Sequence, residues 1–290
     1  MVRLKLIFII FLIDIGLYYS YVNWSNLSKI KAKVFKILNI KSDFLNEIGD
    51  ISRFSARFFR EVIKPKQEWE EFINQCFWVG YKTLTLVGIT AFIMGLVLTI
   101  QSRPTLVEFG AEAMLPAMVA VSLVREISPV ITALICAGKI GSGMGAELGS
   151  MRVTEQIDAM EVSGTNPFKY LIVTRVLATT IMVPVLASVA NAVSLYGGYL
   201  GANLRGDVSW SLYWFQVFDS LSFGDVVPSL IKTFFFGFAI GIVGCYKGFY
   251  SKKGTEGVGR SATTAVIVAS LLVFIIDLLV VQVTDILGLT

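Results

Sequence analysis

Residues 79–100 read VGYKTLTLVGITAFIMGLVLTI, apolar throughout apart from Lys82 near the start. A helix of about 20 such residues crosses the ~30 Å hydrocarbon core of a bilayer with its backbone polar groups satisfied internally. Trp69 and Trp78 flank its start, where indole rings suit the headgroup level. The polar, proline-bearing stretch Gln101-Ser102-Arg103-Pro104 is expected to end it. Four further stretches read the same way. The second, from about Ala113 to Gly138, contains Arg125, Glu126 and Pro129, so it is expected to carry a charged pair and a kink. The third runs from about Leu171 to Leu200 with Arg175 near one end and Pro184 inside. The fourth runs from about Val226 to Tyr246 with Lys232 near its start, and the fifth from about Ala262 to Leu287. The fold class that follows is all-α, a polytopic membrane protein with five transmembrane helices.

Composition agrees. Of 290 residues, 55% are hydrophobic and 16% charged, against about 25% charged in ordinary globular chains, and the mean hydropathy is +0.71. With no histidine in the chain, serine or cysteine chemistry with a histidine base is excluded, as are the usual histidine-bearing zinc and haem sites. Cys76, Cys136 and Cys245 lie in or beside apolar stretches without metal-ligand spacing and read as small buried hydrophobes. The net charge of +4 fits basic cytoplasmic loops better than nucleic-acid binding, so no nucleic acid is expected among the partners.

Lysine and arginine placement sets the expected orientation. Arg53, Arg57, Arg60, Lys64 and Lys66 precede the first span. Lys139, Arg152 and Lys169 lie between the second and third, and Lys247, Lys252, Lys253 and Arg260 between the fourth and fifth. The alternate loops hold only Arg103 and Arg205. The N-terminal region is therefore expected in the cytoplasm and the C-terminus on the other side.

Ahead of the first span, Ile48, Ile51, Phe54, Phe58 and Val62 recur at helical intervals while Arg53, Arg57 and Arg60 take another face. This pattern predicts an amphipathic helix, either lying in the membrane interface or packed on a partner from the cytoplasm. Further upstream, Leu6 to Ile13 is an apolar run behind Arg3 and Lys5, broken by Asp14 and followed by Lys29, Lys31, Lys33 and Lys36. It fits a signal-sequence core, a weak extra membrane segment or an overextended start, and residues 1–43 stay an unassigned extension.

Between spans two and three, five glycines fall between positions 138 and 149. The order Gly-x-x-x-x-Gly-Lys-Ser/Thr is absent, so nucleotide binding is not supported. Small-residue helix packing is the better reading, as for Gly197 with Gly201 and Gly237 with Gly241. From Ser150 to Val162 a short surface helix is expected, with Met151, Ile157 and Val162 on its inner side and Glu155 and Asp158 outward. It serves either as a docking element for an energy-supplying partner or as a plain solvated connector. Arg125 and Glu126 inside a span are costly in hydrocarbon. They read as a substrate or gating site, or as an ion pair with each other. Asp277 reads as the partner of a basic residue on another span, or as a proton acceptor.

The run Ser122-Leu123-Val124-Arg125-Glu126-Ile127-Ser128-Pro129-Val130, then Ala137-Gly138-Lys139-Ile140-Gly141-Ser142, then Ala146 through Met160, closely resembles the signature of the MlaE/YrbE permease family. The likeness extends more loosely from about Phe44 to Thr290, taking in Gly259-Arg260-Ser261-Ala262-Thr263-Thr264 and Asp277. These permeases are the membrane subunits of ABC transporters that work with MCE-domain proteins to move lipids between bacterial inner and outer membranes.

The resemblance implies an interfacial amphipathic helix region at 44–78, a five-span permease domain at 79–290 and a cytoplasmic coupling helix at about 146–162. It implies ATPase coupling through Glu147, Arg152, Thr154, Glu155, Gln156 and Asp158. A lipid cavity between two permease copies is implied at Leu98, Gln101, Leu106, Phe109, Arg125, Glu126 and Ile127, of which Gln101, Arg125 and Glu126 fall on recognisable motif positions. No catalytic residue, metal or cofactor is expected in this chain, because ATP is used by the partner ATPase. The implied partners are a second copy of the chain, an ABC ATPase, an MCE-domain protein, phospholipid and, in some systems, a STAS-domain protein. The implied location is the bacterial inner membrane. The alternative is a self-sufficient secondary transporter with an intramembrane carboxylate proton site, which lacks support from internal repeats. An intramembrane enzyme has no nucleophile and base to work with.

Overall fold

The computed structural model describes residues 46–290 except 65–67, 205, 207, 253 and 289–290. The chain forms two compact units, Met1–Arg53 and Phe54–Thr290. Of the first, residues 46–53 are described. They are helical, with Ser52 Oγ donating to the Ile48 carbonyl at 2.8 Å and Arg53 paired with Asp50 at 2.7 Å. The apolar run at Leu6 to Ile13 lies outside the described residues.

All regular structure among the described residues is helical, and five helices are long and apolar enough to cross a membrane: Trp69–Glu108, Glu112–Val153, Phe168–Asn203, Phe223–Phe249 and Thr255–Ile286. These are spans 1 to 5. Span 1, at 40 residues, is about 60 Å long at 1.5 Å per residue, twice the hydrocarbon core, so both ends project beyond it. Contrary to expectation, it continues through Pro104 to Glu108. Pro104 removes one hydrogen bond near the end of a helix whose other turns are intact. Arg103, the residue before Pro104, donates to Glu112 Oε1 from Nε at 2.9 Å and from Nη2 at 2.6 Å, and so closes the turn into span 2.

The glycine-rich stretch is helical and lengthens span 2 beyond the expected end at Gly138. Span 2 runs unbroken from Glu112 to Val153, with two widened π-helical turns at Leu123–Ile127 and Ala137–Gly141. Its glycines let other backbones approach. A Cβ on Gly145 would lie 3.2 Å from backbone atoms of Ser261 and Ala262, and Ser261 Oγ donates to the Gly145 carbonyl at 3.0 Å. The same holds for the pairs picked out above, whose neighbours are now visible. A Cβ on Gly197 would come within 2.4 Å of the Phe92 carbonyl oxygen of span 1, and one on Gly237 within 2.5 Å of the Thr179 carbonyl of span 3. Small-residue packing here joins spans of one chain.

The expected surface helix is in two parts. Helix Ser142–Val153 ends span 2, Glu155 takes the left-handed conformation at φ 60°, and a second helix covers Gln156–Val162. Ile157 is buried and Glu155 and Asp158 are exposed as expected, but Val162 is 90% exposed. Val162 is the last residue of that helix and lies away from the buried Ile157.

The amphipathic helix extends to residue 62. Its Phe54 and Phe58 are buried, yet neither against lipid nor against another protein: Phe54 meets Phe168 at 5.0 Å and Tyr246 at 5.5 Å, and Phe58 meets Phe238 at 5.6 Å between ring centroids. Phe59 and Ile63 stay exposed. Glu61, also buried, accepts from Lys64 at 2.6 Å and from the Asn166 amide at 3.2 Å, which ties this helix to the turn before span 3. One helix went unforeseen: Trp210–Ser220, between spans 3 and 4, in which Tyr213 and Val217 are buried and the Tyr213 hydroxyl donates to the Leu195 carbonyl at 3.0 Å. Its apolar residues occupy nearly the whole circumference, so no amphipathic periodicity announced it.

Candidate functional site

Span 2 loses regular α geometry just before Pro129, and the reason is local. In the π-helical turn the Ser128 N–H bonds to the Leu123 carbonyl. The next bond in that register would run from residue 129 to the Val124 carbonyl, and proline has no N–H to give. Ser229 Oγ of span 4 donates to the Val124 carbonyl instead, at 2.7 Å and buried. The widened turn therefore fixes span 4 against span 2 at the level of Arg125 and Glu126.

Those two residues are not paired with each other. Glu126 Oε2 accepts from Lys232 Nζ of span 4 at 2.7 Å, and Asp277 Oδ1 of span 5 accepts from the same nitrogen at 2.9 Å. Lys232 is 2% exposed, so its charge has left water and depends on these two carboxylates. Arg125 Nη1 lies 3.8 Å from Asp225 Oδ1. Asp225 is held in turn by the start of span 4, where it accepts from the Ser222 N–H at 3.0 Å and the Ser222 hydroxyl at 2.7 Å, the capping box that Ser-x-x-Asp encodes. Three spans thus contribute to one cluster of two cations and three carboxylates. The expected pairing of Asp277 with a base on another span is realised at Lys232.

Directly against this cluster, spans 4 and 5 leave an open apolar groove of about 710 Å³, walled by Phe223, Val227, Ile231, Phe235, Leu279 and Val283 among others. Gly224, Pro228, Val280 and Thr284 border both the groove and the pocket around Arg125, Glu126, Asp225 and Lys232. From Phe223 to Phe235 the wall covers about 18 Å of helix, slightly more than one leaflet's share of the ~30 Å core. An apolar trough flanked by charged and hydrogen-bonding groups suits an amphiphile with a chain and a polar head.

The remaining cavity residues separate. Leu98, Leu106 and Ile127 pack against a buried cluster of Leu115, Val119, Leu123, Leu195 and Val217, so they support the helix that bears Arg125 and Glu126. Gln101 and Phe109 are exposed, Phe109 at 78%. Sequence reasoning missed Lys232, Asp225, Ser229 and the groove walls of spans 4 and 5. Lys232 carried the same signal as Arg125, a charge inside a span. The groove walls carried none, because an apolar residue reads alike whether it faces lipid, a neighbour or a cavity.

At the opposite end, Glu147 accepts from the buried Arg175 at 2.8 Å. Arg152 pairs with Asp158 across the Thr154-Glu155 break, and Thr154 Oγ1 donates back to the Ser150 carbonyl at 2.9 Å. Thr154, Glu155 and Gln156 are exposed. Glu147 to Asp158 thus share one end of the bundle, as expected, with Glu147 and Asp158 already engaged by arginines of the same chain. Among the described residues no group of three or more histidine, cysteine or acidic side chains is arranged to hold a metal ion.

Comparison with known proteins agrees with this architecture. The family model described as Permease MlaE matches residues 72–283. A probable ABC transporter permease protein of Rickettsia prowazekii is 38% identical over 239 residues, covering 82% of this chain and 92% of that protein. A probable ABC transporter permease protein of Synechocystis is 34% identical over 221 residues, 76% and 84% of the two chains. The intermembrane phospholipid transport system permease protein MlaE of Haemophilus influenzae is 32% identical over 240 residues, 81% and 90%. With a matching family model over most of its length and relatives aligned nearly end to end, the chain belongs to the MlaE permease family.

Proposed function

We propose that this protein is the membrane permease subunit of an ABC-type phospholipid transporter, working as a homodimer in the bacterial inner membrane with a separate ATPase and an MCE-domain protein. The observation that carries the reading is the apolar groove of about 710 Å³ with the Arg125, Glu126, Asp225 and Lys232 cluster alongside it. Acyl chains lie along Val227, Ile231 and Leu279, and the headgroup is met by the ionic cluster beside the groove. The start of span 4 and the end of span 5 border the groove, away from the basic loops, which supports a position in the outer half of the membrane. A second copy of the chain covers its open side.

This chain supplies no ATP chemistry. The ATPase docks on the end that bears Glu155, Gln156 and the helix to Val162, and a STAS-domain protein, where one is encoded, joins from the ATPase side. Closure of two ATPase subunits displaces this end, changes the distance between the two permeases and narrows or opens the groove. Lipid is driven out because its binding energy differs between the two states. The cluster's third carboxylate is the one feature that serves the alternative, a proton-coupled transporter needing no ATPase.

Affinity purification of the chain in mild detergent from its native host, with mass spectrometry of bound proteins and lipids, separates the two. Co-purifying ATPase, MCE-domain protein and phospholipid are expected. A chain that purifies alone and transports in a proton gradient would overturn the proposal. In the reconstituted complex, Glu126→Ala is expected to lower lipid transport at least tenfold while assembly is kept. Loss of assembly to the same degree would assign the cluster a purely structural role.

A further inference from the structure

We infer that Arg175 is a positioning residue: through its bond to Glu147 it makes span 3 move with the cytoplasmic end of span 2. The inference rests on the permease reading and identifies how motion at the docking helix enters the membrane.

Arg175 lies in the second turn of span 3 and is 3% exposed. Its Nη2 donates to Glu147 Oε1 at 2.8 Å and its Nη1 to the Leu171 carbonyl at 3.0 Å, within the widened turn Phe168–Val173. Nε is buried with no hydrogen-bond partner. Glu147 is 54% exposed and sits two turns before the left-handed break at Glu155 that leads into the docking helix. The carboxylate thus stands at the cytoplasmic surface while its partner guanidinium is inside the bundle.

The two ion pairs at this end differ in kind. Arg152 and Asp158 are 40% and 51% exposed, so water and salt replace that pair at little cost when the docking helix shifts. Arg175 has no such exchange available, since parting from Glu147 would leave its charge in the bundle without a carboxylate. The surface pair can open and the pair with the buried Arg175 must hold, so a displacement of Ser142–Val153 carries the head of span 3 with it. Arginine suits the post because one planar group reaches a carbonyl on its own helix and a carboxylate on another. Span 3 in turn packs against span 1 at Gly197 and against span 4 at Gly237 with backbone-to-backbone closeness, which takes the motion toward the groove.

The test combines a distance and a coupling ratio. Spin labels at Ala159 and Ile181, both exposed, are introduced into chains diluted with unlabelled chain in nanodiscs. Their distance distribution is expected to be narrow in the parent and broadened in Glu147→Ala, with Arg175→Lys intermediate. In the complex with its ATPase, Glu147→Ala is expected to lose at least tenfold in lipid moved per ATP hydrolysed. The exchange Glu147→Arg with Arg175→Glu is expected to recover part of that loss, which a merely structural role would not give. An unchanged distribution, or an unchanged ratio in Glu147→Ala, overturns the inference. A parent chain that binds no ATPase overturns the permease reading instead, while the distance measurement still reports on the link. Should Arg175 variants fail to fold, Glu147→Ala alone decides, since it alters only the half-exposed side of the pair.

Discussion

Ser229 and Pro129 belong together although 100 positions separate them. Removing the hydroxyl in Ser229→Ala orphans the buried Val124 carbonyl, a loss of about 1–3 kcal/mol. Pro129→Ala returns an N–H to span 2, so the Ser229→Ala cost is expected to shrink by about 1 kcal/mol in that background. Thermal unfolding of the four proteins in detergent measures the cycle, and equal costs in both backgrounds would refute the link. Glu61 supplies a pH effect. The hydrogen bond from Lys64 holds its carboxyl below the usual value, aided by the charges of Lys64 and Arg57 and by the Asn166 amide, against the opposing effect of burial. Because the folded value is the lower one, the stabilisation is complete above about pH 4.5 and is lost as the pH falls through the folded value. Glu61→Gln is expected to flatten the acid limb of a plot of melting temperature against pH, leaving the neutral region lower but level.

Between elements, closeness of backbones decides which substitutions are tolerated. A Cβ on Gly95 would lie 1.9 Å from the Ser194 carbonyl oxygen, so Gly95→Ala forces spans 1 and 3 apart at a cost of about 1–3 kcal/mol. Gly88, two turns earlier in the same span, has nothing within 4 Å of such a Cβ. Gly88→Ala is therefore expected to be neutral or to stabilise by up to about 1 kcal/mol through helix propensity. Melting temperatures in detergent distinguish the two. The break at Glu155 is another property of an element: a non-glycine residue at φ 60° carries about 1 kcal/mol of backbone strain. Glu155→Gly should relieve it and raise the melting temperature. Glu155→Lys with Asp158→Lys should leave the chain inserted and abolish lipid-dependent ATP hydrolysis in the assembled complex; unchanged hydrolysis would remove these residues from the docking surface.

For the molecule as a whole, the five spans and the basic loops predict opposite sides for two exposed positions. With the three native cysteines replaced by alanine, a cysteine at Phe109 is expected to react with a membrane-impermeant thiol reagent in cells with a permeabilised outer membrane. One at Val162 is expected to react only after lysis; both positions are well exposed. The reverse pattern would invert the topology and place the groove in the cytoplasmic half.

The number of spans and their order were legible from sequence alone, because a bilayer demands about 20 apolar residues per crossing. Charge inside a span marked Arg125, Glu126 and Asp277 as residues in need of partners for the same reason. Which partners they have was decided by tertiary structure, since Lys232 meets Glu126 and Asp277 only where spans 2, 4 and 5 converge. The glycines at 138–149 read as small-residue helix packing, and which helices they meet was decided by tertiary structure: spans 4 and 5 come close where side chains are missing. Local sequence settled what must enter the membrane. The groove and the charged cluster beside it arise from how helices of similar composition pack, and composition says nothing of which face meets which.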